Sequence, residues 1–462
     1  MSEPWAMSAA ALAAAYRAGA LTPLQALDSC AARIAALDPR LNAFVALRLD
    51  EARREAAASS GRFACGSPLS PLDGVPVAVK DNIPVAGMPT TWGSVAGRAH
   101  LADDELAAAR LRAAGALIVG KTNCPEFTLE GYTDNALFGP THNPWDPALT
   151  PGGSSGGSVA AVAAGLVPLA LGTDGGGSTR RPASHTGLAG FKPSVGAIAR
   201  LQSLPPLLLD FEVIGPIARD VTDLRLLFDV LAGPDRADTR SLAAMAARRP
   251  LPPRLRVRYV PTLDDAPVDE QVAASCRGAV QRLAALGHLV DEGPLPLALG
   301  ALNAQWPMVG QIGLAWLLDA HPRWRHGASD RFVQMAAQGA ARPAPELWAL
   351  LETVEQLRRD AAALFEHWDL VVTPATAALP WPAAQPYPPQ IAGQPVGPRG
   401  HAVFTGWVNA AALPAVALPT APSAGGLPIG VQLIGPYGSD AALLDLAAAF
   451  EGGGSPWRFP PP

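Results

Sequence analysis

The chain has 462 residues, of which 49% are apolar, and a formal net charge of −5 at pH 7. That is ample material for large buried cores, and the mild acidity leaves no electrostatic footprint for nucleic acid or a membrane surface. Its 48 prolines and 45 glycines fall short of a disordered composition, and four scattered cysteines (Cys30, Cys65, Cys124, Cys276) form neither a disulfide framework nor a zinc site.

The N-terminus lacks the basic region of a signal peptide. Residues 8–18 and 24–37 read as amphipathic helices. The second carries a capping box, with Thr22 as N-cap, Pro23 at the first position and Gln25 two residues later. A strand is expected over 41–45 and a helix over 50–59. Gly74-Val-Pro-Val-Ala-Val-Lys80 reads as a buried strand that ends on a charge. Such a lysine either pairs with Asp81 or sits in a dry pocket, where its charged form is disfavoured. A helix follows over 104–114 and a strand over 116–119. Residues 115–122, GALIVGKT, match a phosphate-loop pattern in letters. Their apolar middle argues for a strand instead.

Residues 150–182, TPGGSSGGSVAAVAAGLVPLALGTDGGGSTRRP, form the most informative stretch. We read it as loop, helix, strand, loop. The helix stops at Gly165, and the strand over 166–171 returns antiparallel to it, which brings Ser178 back toward Ser154. In GTDGGGS the glycines let backbone N–H groups converge, so the amides of Gly175, Gly176, Gly177 and Ser178 suit an oxyanion hole. Serine needs a base, either one of the eight histidines or a buried lysine such as Lys80. Ser154 fits GxSxG in letters, but no strand runs into it, so a nucleophile elbow is not indicated. The Ala/Val run around 159–171 is too short to span a bilayer and is broken by Gly165 and Pro168. A soluble, cytoplasmic protein is expected.

Further on, 234–253 reads as a polar surface connection. Strands over 255–261 and 289–292 flank a helix over 269–286. Residues 296–342 are rich in Trp, and a strand over 370–373 precedes a Pro-rich loop, 375–400. A loop that long is functional or disordered, and we read it as a cover over a pocket mouth.

DGVPVAVKDN (73–82), PGGSSGGSVAAVAAG (151–165) and GTDGGGSTRRPA (172–183) together resemble the amidase signature family. Weaker family-like patterns extend the resemblance over about 5–452. It implies an α/β fold: one large domain over 1–462, with a mixed, twisted central β-sheet covered by helices on both faces and the site at the carboxyl ends of strands. Length alone would have suggested two or three domains. It also implies a Ser-cisSer-Lys set in which Ser178 is the nucleophile, Ser154 the serine at a cis peptide bond and Lys80 the base. Gly175, Gly176 and Gly177 then line the oxyanion hole. Thr179, Arg181 and His185 depart from the family pattern one shell away from that chemistry.

The resemblance further implies a hydrolase of carbon–nitrogen amide bonds that needs neither metal nor cofactor. It would act as a monomer or homodimer on a small-molecule amide or carbamate, without nucleic acid or membrane. The alternative is the glutaminase component of a tRNA-dependent amidotransferase complex. Thr128, by its distance before Ser154, falls where the family places a backbone group beside the serines. Tyr132, Trp306, Trp316, Phe404 and Trp407 are candidate pocket walls, and Trp145 is expected to pack. Apolar walls favour aryl or alkyl amides, similar esters and aryl carbamates. The charge pattern offers no cationic clamp for a free carboxylate apart from Arg180 and Arg181.

Overall fold

Period-two side-chain alternation decides which face of each central strand meets which core. The computed structural model describes residues 3–201, 207–453 and 457–461. The strands are β1 (Phe44–Leu47), β2 (Pro76–Lys80), β3 (Leu117–Thr122), β4 (Leu169–Asp174), β5 (Ala189–Lys192), β6 (Val213–Ala218), β7 (Arg256–Tyr259), β8 (Leu289–Glu292), β9 (Leu370–Pro374), β10 (Gln390–Ile391), β11 (Gln394–Pro395), β12 (Ala415–Pro419) and β13 (Gly430–Ile434). Among the described residues, β10 and β11 form a small ribbon. The other eleven strands form one mixed sheet in the order β1-β3-β2-β4-β6-β5-β12-β13-β9-β7-β8.

Val77 and Val79 of β2 and Leu169 and Leu171 of β4 point into one core, with Leu224 and Leu227 of the helix Val221–Leu231. Ala78 and Ala170 point the other way and pack against Val159 to Ala164. The sheet is thus covered on both faces. Lys80 shares the parity of Ala78, so it emerges on the face that carries the helix Gly156–Ala163. Asp81 points away from it and pairs with Lys121 at 3.5 Å, both groups being buried.

β2 pairs in parallel with both β3 and β4. Parallel neighbours need crossovers, and the helices Leu106–Ala113 and Gly156–Ala163 lie in the two connections. The carboxyl ends of β2 and β4 therefore lie side by side. β4 is antiparallel to β6, with Asp174 opposite Val213. The 115–122 segment is strand from Leu117 onward, so the phosphate-loop pattern is one of letters only.

Some boundaries move. The helix Pro23–Leu41 keeps its capping box but runs on to a left-handed Asn42 at φ 51°, which delays β1 to Phe44. The 234–253 connection contains a helix, Thr239–Ala246, opened by Asp238, whose side chain accepts from the Arg240 N–H. Residues 300–340 form three helices, Gly300–Ala320, Pro322–Gly327 and Asp330–Ala340. No helix among the described residues is long and apolar enough to cross a membrane.

Candidate active site

Lys80, at the end of β2, is completely buried. Its Nζ donates to Ser154 Oγ at 2.8 Å and to Thr173 Oγ1 at 2.9 Å. Burial pulls its pKa down to about 8, against the opposing effect of the Cys124 thiol, Glu212 and Asp174. The lysine thus touches the serine loop, and Asp81 is left to Lys121.

The Gly153–Ser154 peptide bond is cis. Gly153 lies against the Tyr132 backbone, whose carbonyl oxygen occupies the place where a Cβ would project. Ser155 ties this loop to the next one. Its N–H donates to the Ser178 carbonyl at 3.1 Å, and its Oγ donates to the Thr173 carbonyl at 3.1 Å. A Cβ on Gly172 would stand 2.7 Å from that same Oγ, so glycine is what allows the close approach. The loops holding Ser154 and Ser178 are therefore joined directly, as the antiparallel helix-to-strand return requires.

Asp174 organises the glycine loop. Its carboxylate accepts from the N–H groups of Gly177 (2.7 Å), Thr179 (3.1 Å) and Arg180 (3.3 Å), and from the Arg180 guanidinium at 2.9 and 3.0 Å. Burial alone would raise its pKa, but Arg180, Asn409 and Lys192 hold it far below the usual carboxylate range. This corrects one expectation. The Gly177 amide is already engaged with Asp174 and is not available as an oxyanion donor. The amides of Gly175, Gly176 and Ser178 make no hydrogen bond among the described residues.

Both arginines of the loop are committed. Arg180 is fully buried and also donates to Gln432 Oε1 and Asn409 Oδ1, each at 2.5 Å. Arg181 donates to the Gly176 carbonyl, to Thr405 Oγ1 at 3.1 Å and to the Gly153 carbonyl at 3.4 Å, bracing the two loops against each other. His185 is buried, with Nε2 3.2 Å from the Ala378 carbonyl, and burial pulls its pKa down to about 4. Trp381 contacts His185 edge-on and His401 at a tilt, with ring centroids 5.5 and 4.7 Å apart. The Pro-rich loop is anchored here: the Thr150 N–H donates to the Trp381 carbonyl and the Ala383 N–H to the Ala148 carbonyl.

The expected wall residues divide. Trp306 stacks on Phe211 (5.7 Å, 23°), and its Cζ2 would lie 3.0 Å from a Cβ at Gly176, so it flanks the glycine loop. The Tyr132 hydroxyl accepts from Arg331 Nη1 at 3.0 Å. Thr128 is buried at φ 59° and donates its N–H to the Pro125 carbonyl at 2.9 Å. Trp145 packs edge-on to Trp457, its Nε1 donating to the Thr186 carbonyl at 2.9 Å. Three wall assignments are corrected. Phe404 has no exposed surface and, with the buried Trp407, belongs to the same core cluster as Trp306. Trp316 is 51% exposed and contacts His321. Ten positions along the same helix carry it roughly 15 Å from Trp306.

Thr173, Asp174, Asn409 and Gln432 were not singled out from sequence. The signal available was a charge closing the apolar run of β4, parallel to the one that drew attention to Lys80. Among the described residues, no group of three or more His, Cys, Asp or Glu is placed to hold a metal ion.

Two serines, a buried lysine and a glycine loop thus meet at the carboxyl ends of β2 and β4, and comparison with known proteins gives the family. The Amidase family model matches residues 25–444. The chain belongs to the amidase signature family. It is 34% identical to an acylamidase from Rhodococcus erythropolis, over 96% of this chain and 95% of that protein. It is 35% identical to the A subunit of glutamyl-tRNA(Gln) amidotransferase from Symbiobacterium thermophilum, over 96% of each. Among solved structures it resembles a bacterial aryl acylamidase (TM-score 0.87, 30% identity, covering 98% of this chain and 96% of that one). It also resembles 6-aminohexanoate cyclic dimer hydrolase in complex with substrate (TM-score 0.85, 29% identity, 99% of each chain).

Proposed function

We propose that the chain hydrolyses amides through an acyl-enzyme on Ser178. The observation that carries this reading is the 2.8 Å contact between Lys80 Nζ and Ser154 Oγ, with Ser155 hydrogen-bonded to the Ser178 carbonyl. Ser178 Oγ attacks the carbonyl carbon and gives its proton to Ser154 Oγ, whose own proton passes to neutral Lys80. The amides of Gly175, Gly176 and Ser178 receive the developing oxyanion. The tetrahedral adduct collapses with cleavage of the C–N bond. Ser154 protonates the leaving amine and recovers a proton from Lys80. Water then attacks the ester by the same route and releases the acid.

The apolar side of the glycine loop, formed by Trp306 on Phe211, supports aryl or alkyl amides as substrates. Aryl carbamates and esters present the same carbonyl geometry and belong to the same expected range. A panel of 4-nitroanilides, aryl carbamates, malonamate and glutamine, with Ser178→Ala as control, tests this reading. Turnover unaffected by Ser178→Ala would exclude the nucleophile. Turnover confined to glutamine or malonamate would exclude the apolar pocket.

A second reading rests on the relatives. The similarity to amidotransferase A subunits over 96% of the chain supports a glutaminase role within a complex. Glutaminase activity of the purified chain, together with a co-purifying partner, would favour it.

A further inference from the structure

Arg399 stands apart from the other arginines near the site. Among the described residues its guanidinium makes no ion pair and no hydrogen bond. It lies over the Trp306 ring, 4.5 Å from the centroid, a cation–π arrangement. The Trp306 ring itself is pinned by stacking on Phe211. The indole edge faces Gly176, and Gly406 supplies the space: a Cβ there would lie 3.0 Å from Arg399 Nη2 and 3.2 Å from Trp306 Cη2. Arg399 is thus one indole away from the Gly176 amide. Gly176 and Arg399 are each only part-buried, whereas Gly175, Gly177, Ser178 and Trp306 are buried.

We propose that Arg399 is an anion clamp, and that the preferred substrates are amides bearing a carboxylate about one ring-width from the scissile carbonyl. This deepens the amide-hydrolase reading and rests on it. Arg180 and Arg181 cannot serve, because Asp174 and the backbone carbonyls of Gly176 and Gly153 already engage them. Stacking leaves the guanidinium's N–H edge free for the two-pronged bond that a carboxylate accepts. Burial, reinforced by the like charge of Arg181, pulls the Arg399 pKa down to about 9. It remains a cation at neutral pH, partly stripped of water and without a counter-ion, a state that an incoming carboxylate relieves. Arg399 also closes the Pro-rich 375–400 segment, so the same loop that is anchored to Thr150 and His185 through Trp381 delivers the clamp.

Two matched pairs of probes test this. Glutaryl 4-nitroanilide against valeryl 4-nitroanilide places the acid on the acyl side. 4-(Butyrylamino)benzoate against butyranilide places it on the amine side. Binding to the full chain carrying Ser178→Ala is measured by calorimetry, so no turnover intervenes. At least tenfold tighter binding of the acid in one pair is expected, falling to parity when Arg399→Gln is added. Arg399→Lys should restore only part of the preference, because an ammonium lacks the fork. Thermal melting checks that each variant is folded. Equal binding of acid and neutral probes in both pairs, or a preference that Arg399→Gln leaves intact, overturns the clamp. Turnover by the unmodified chain is scored separately. Its absence would count against the hydrolase reading and leave the binding result standing.

Discussion

Lys80 Nζ donates to Thr173 Oγ1 at 2.9 Å, across two parallel strands whose partners lie 93 positions apart in the chain. Asn82 Nδ2 donates to the same hydroxyl at 3.0 Å. Thr173 therefore holds the lysine where Ser154 can reach it, and it helps set how readily that lysine gives up its proton.

Replacing Thr173 by Val removes an acceptor that favours the charged amine. The Lys80 pKa should fall further, so the acid limb of kcat/KM should shift to lower pH while kcat drops through loss of positioning. A pH–rate profile of the variant measures both. An acid limb that stays put, or moves up, would remove Thr173 from this role.

The unmodified chain should show kcat/KM rising from acid pH, half-maximal near pH 8 and levelling above about pH 9. The sign follows from the chemistry: the base is the neutral amine, and burial has brought its pKa down to about 8. The measured value belongs to the coupled Lys–Ser–Ser unit. A profile flat from about pH 5 to 9, with chemistry rate-limiting, would argue against a lysine base.

Alanine at Lys80, Ser154 or Ser178 should each lower kcat by several orders of magnitude, and the double variants should lose little more, because the three groups form one proton path. Single-turnover kinetics on a 4-nitroanilide would show it. Additive losses would mean that the residues act independently.

Asp174→Asn should destabilise the fold by about 3–5 kcal/mol, because it leaves the fully buried Arg180 without its counter-charge. The Asp174 pKa is depressed, so its stabilising contribution is present above the unfolded value of about 4 and is lost only as pH falls through the much lower folded value. Urea denaturation should give a constant difference between the two proteins from about pH 8 to pH 5. A difference that vanishes within that window would mean the carboxylate is not held as described.

How much of this was legible depends on the distance over which each residue finds its partners. Lys80 announced itself because an apolar strand ended on a charge, and the 150–182 stretch did so because its helix and strand are local. The same local information predicted that Ser154 and Ser178 would meet. The Asp174–Arg180–Asn409–Gln432 cluster was not legible. Asn409 and Gln432 lie 229 and 252 positions from Arg180, on a helix and a strand that only the folded sheet brings together. Trp306 and Trp316 looked equivalent in one apolar segment, and only the packing of their helix separates a residue at the glycine loop from one facing solvent. Gly177 was misassigned for a related reason. Composition shows that a glycine loop can present amides, but not which amide an aspartate has already claimed.

The dry surroundings of Lys80 also bear on how durable the protein is. A lysine whose pKa drops on folding weakens the folded state wherever it is still protonated. As pH rises from about 8 toward the unfolded value near 10.5, that handicap fades and the fold gains. Lys80→Met fills the same space without the charge, so it should abolish turnover yet raise the melting temperature at pH 7, with the gap narrowing by pH 10. Chemistry and robustness are thereby set against each other at a single side chain, and selection for heat resistance alone, with no demand for turnover, would be expected to discard this lysine early.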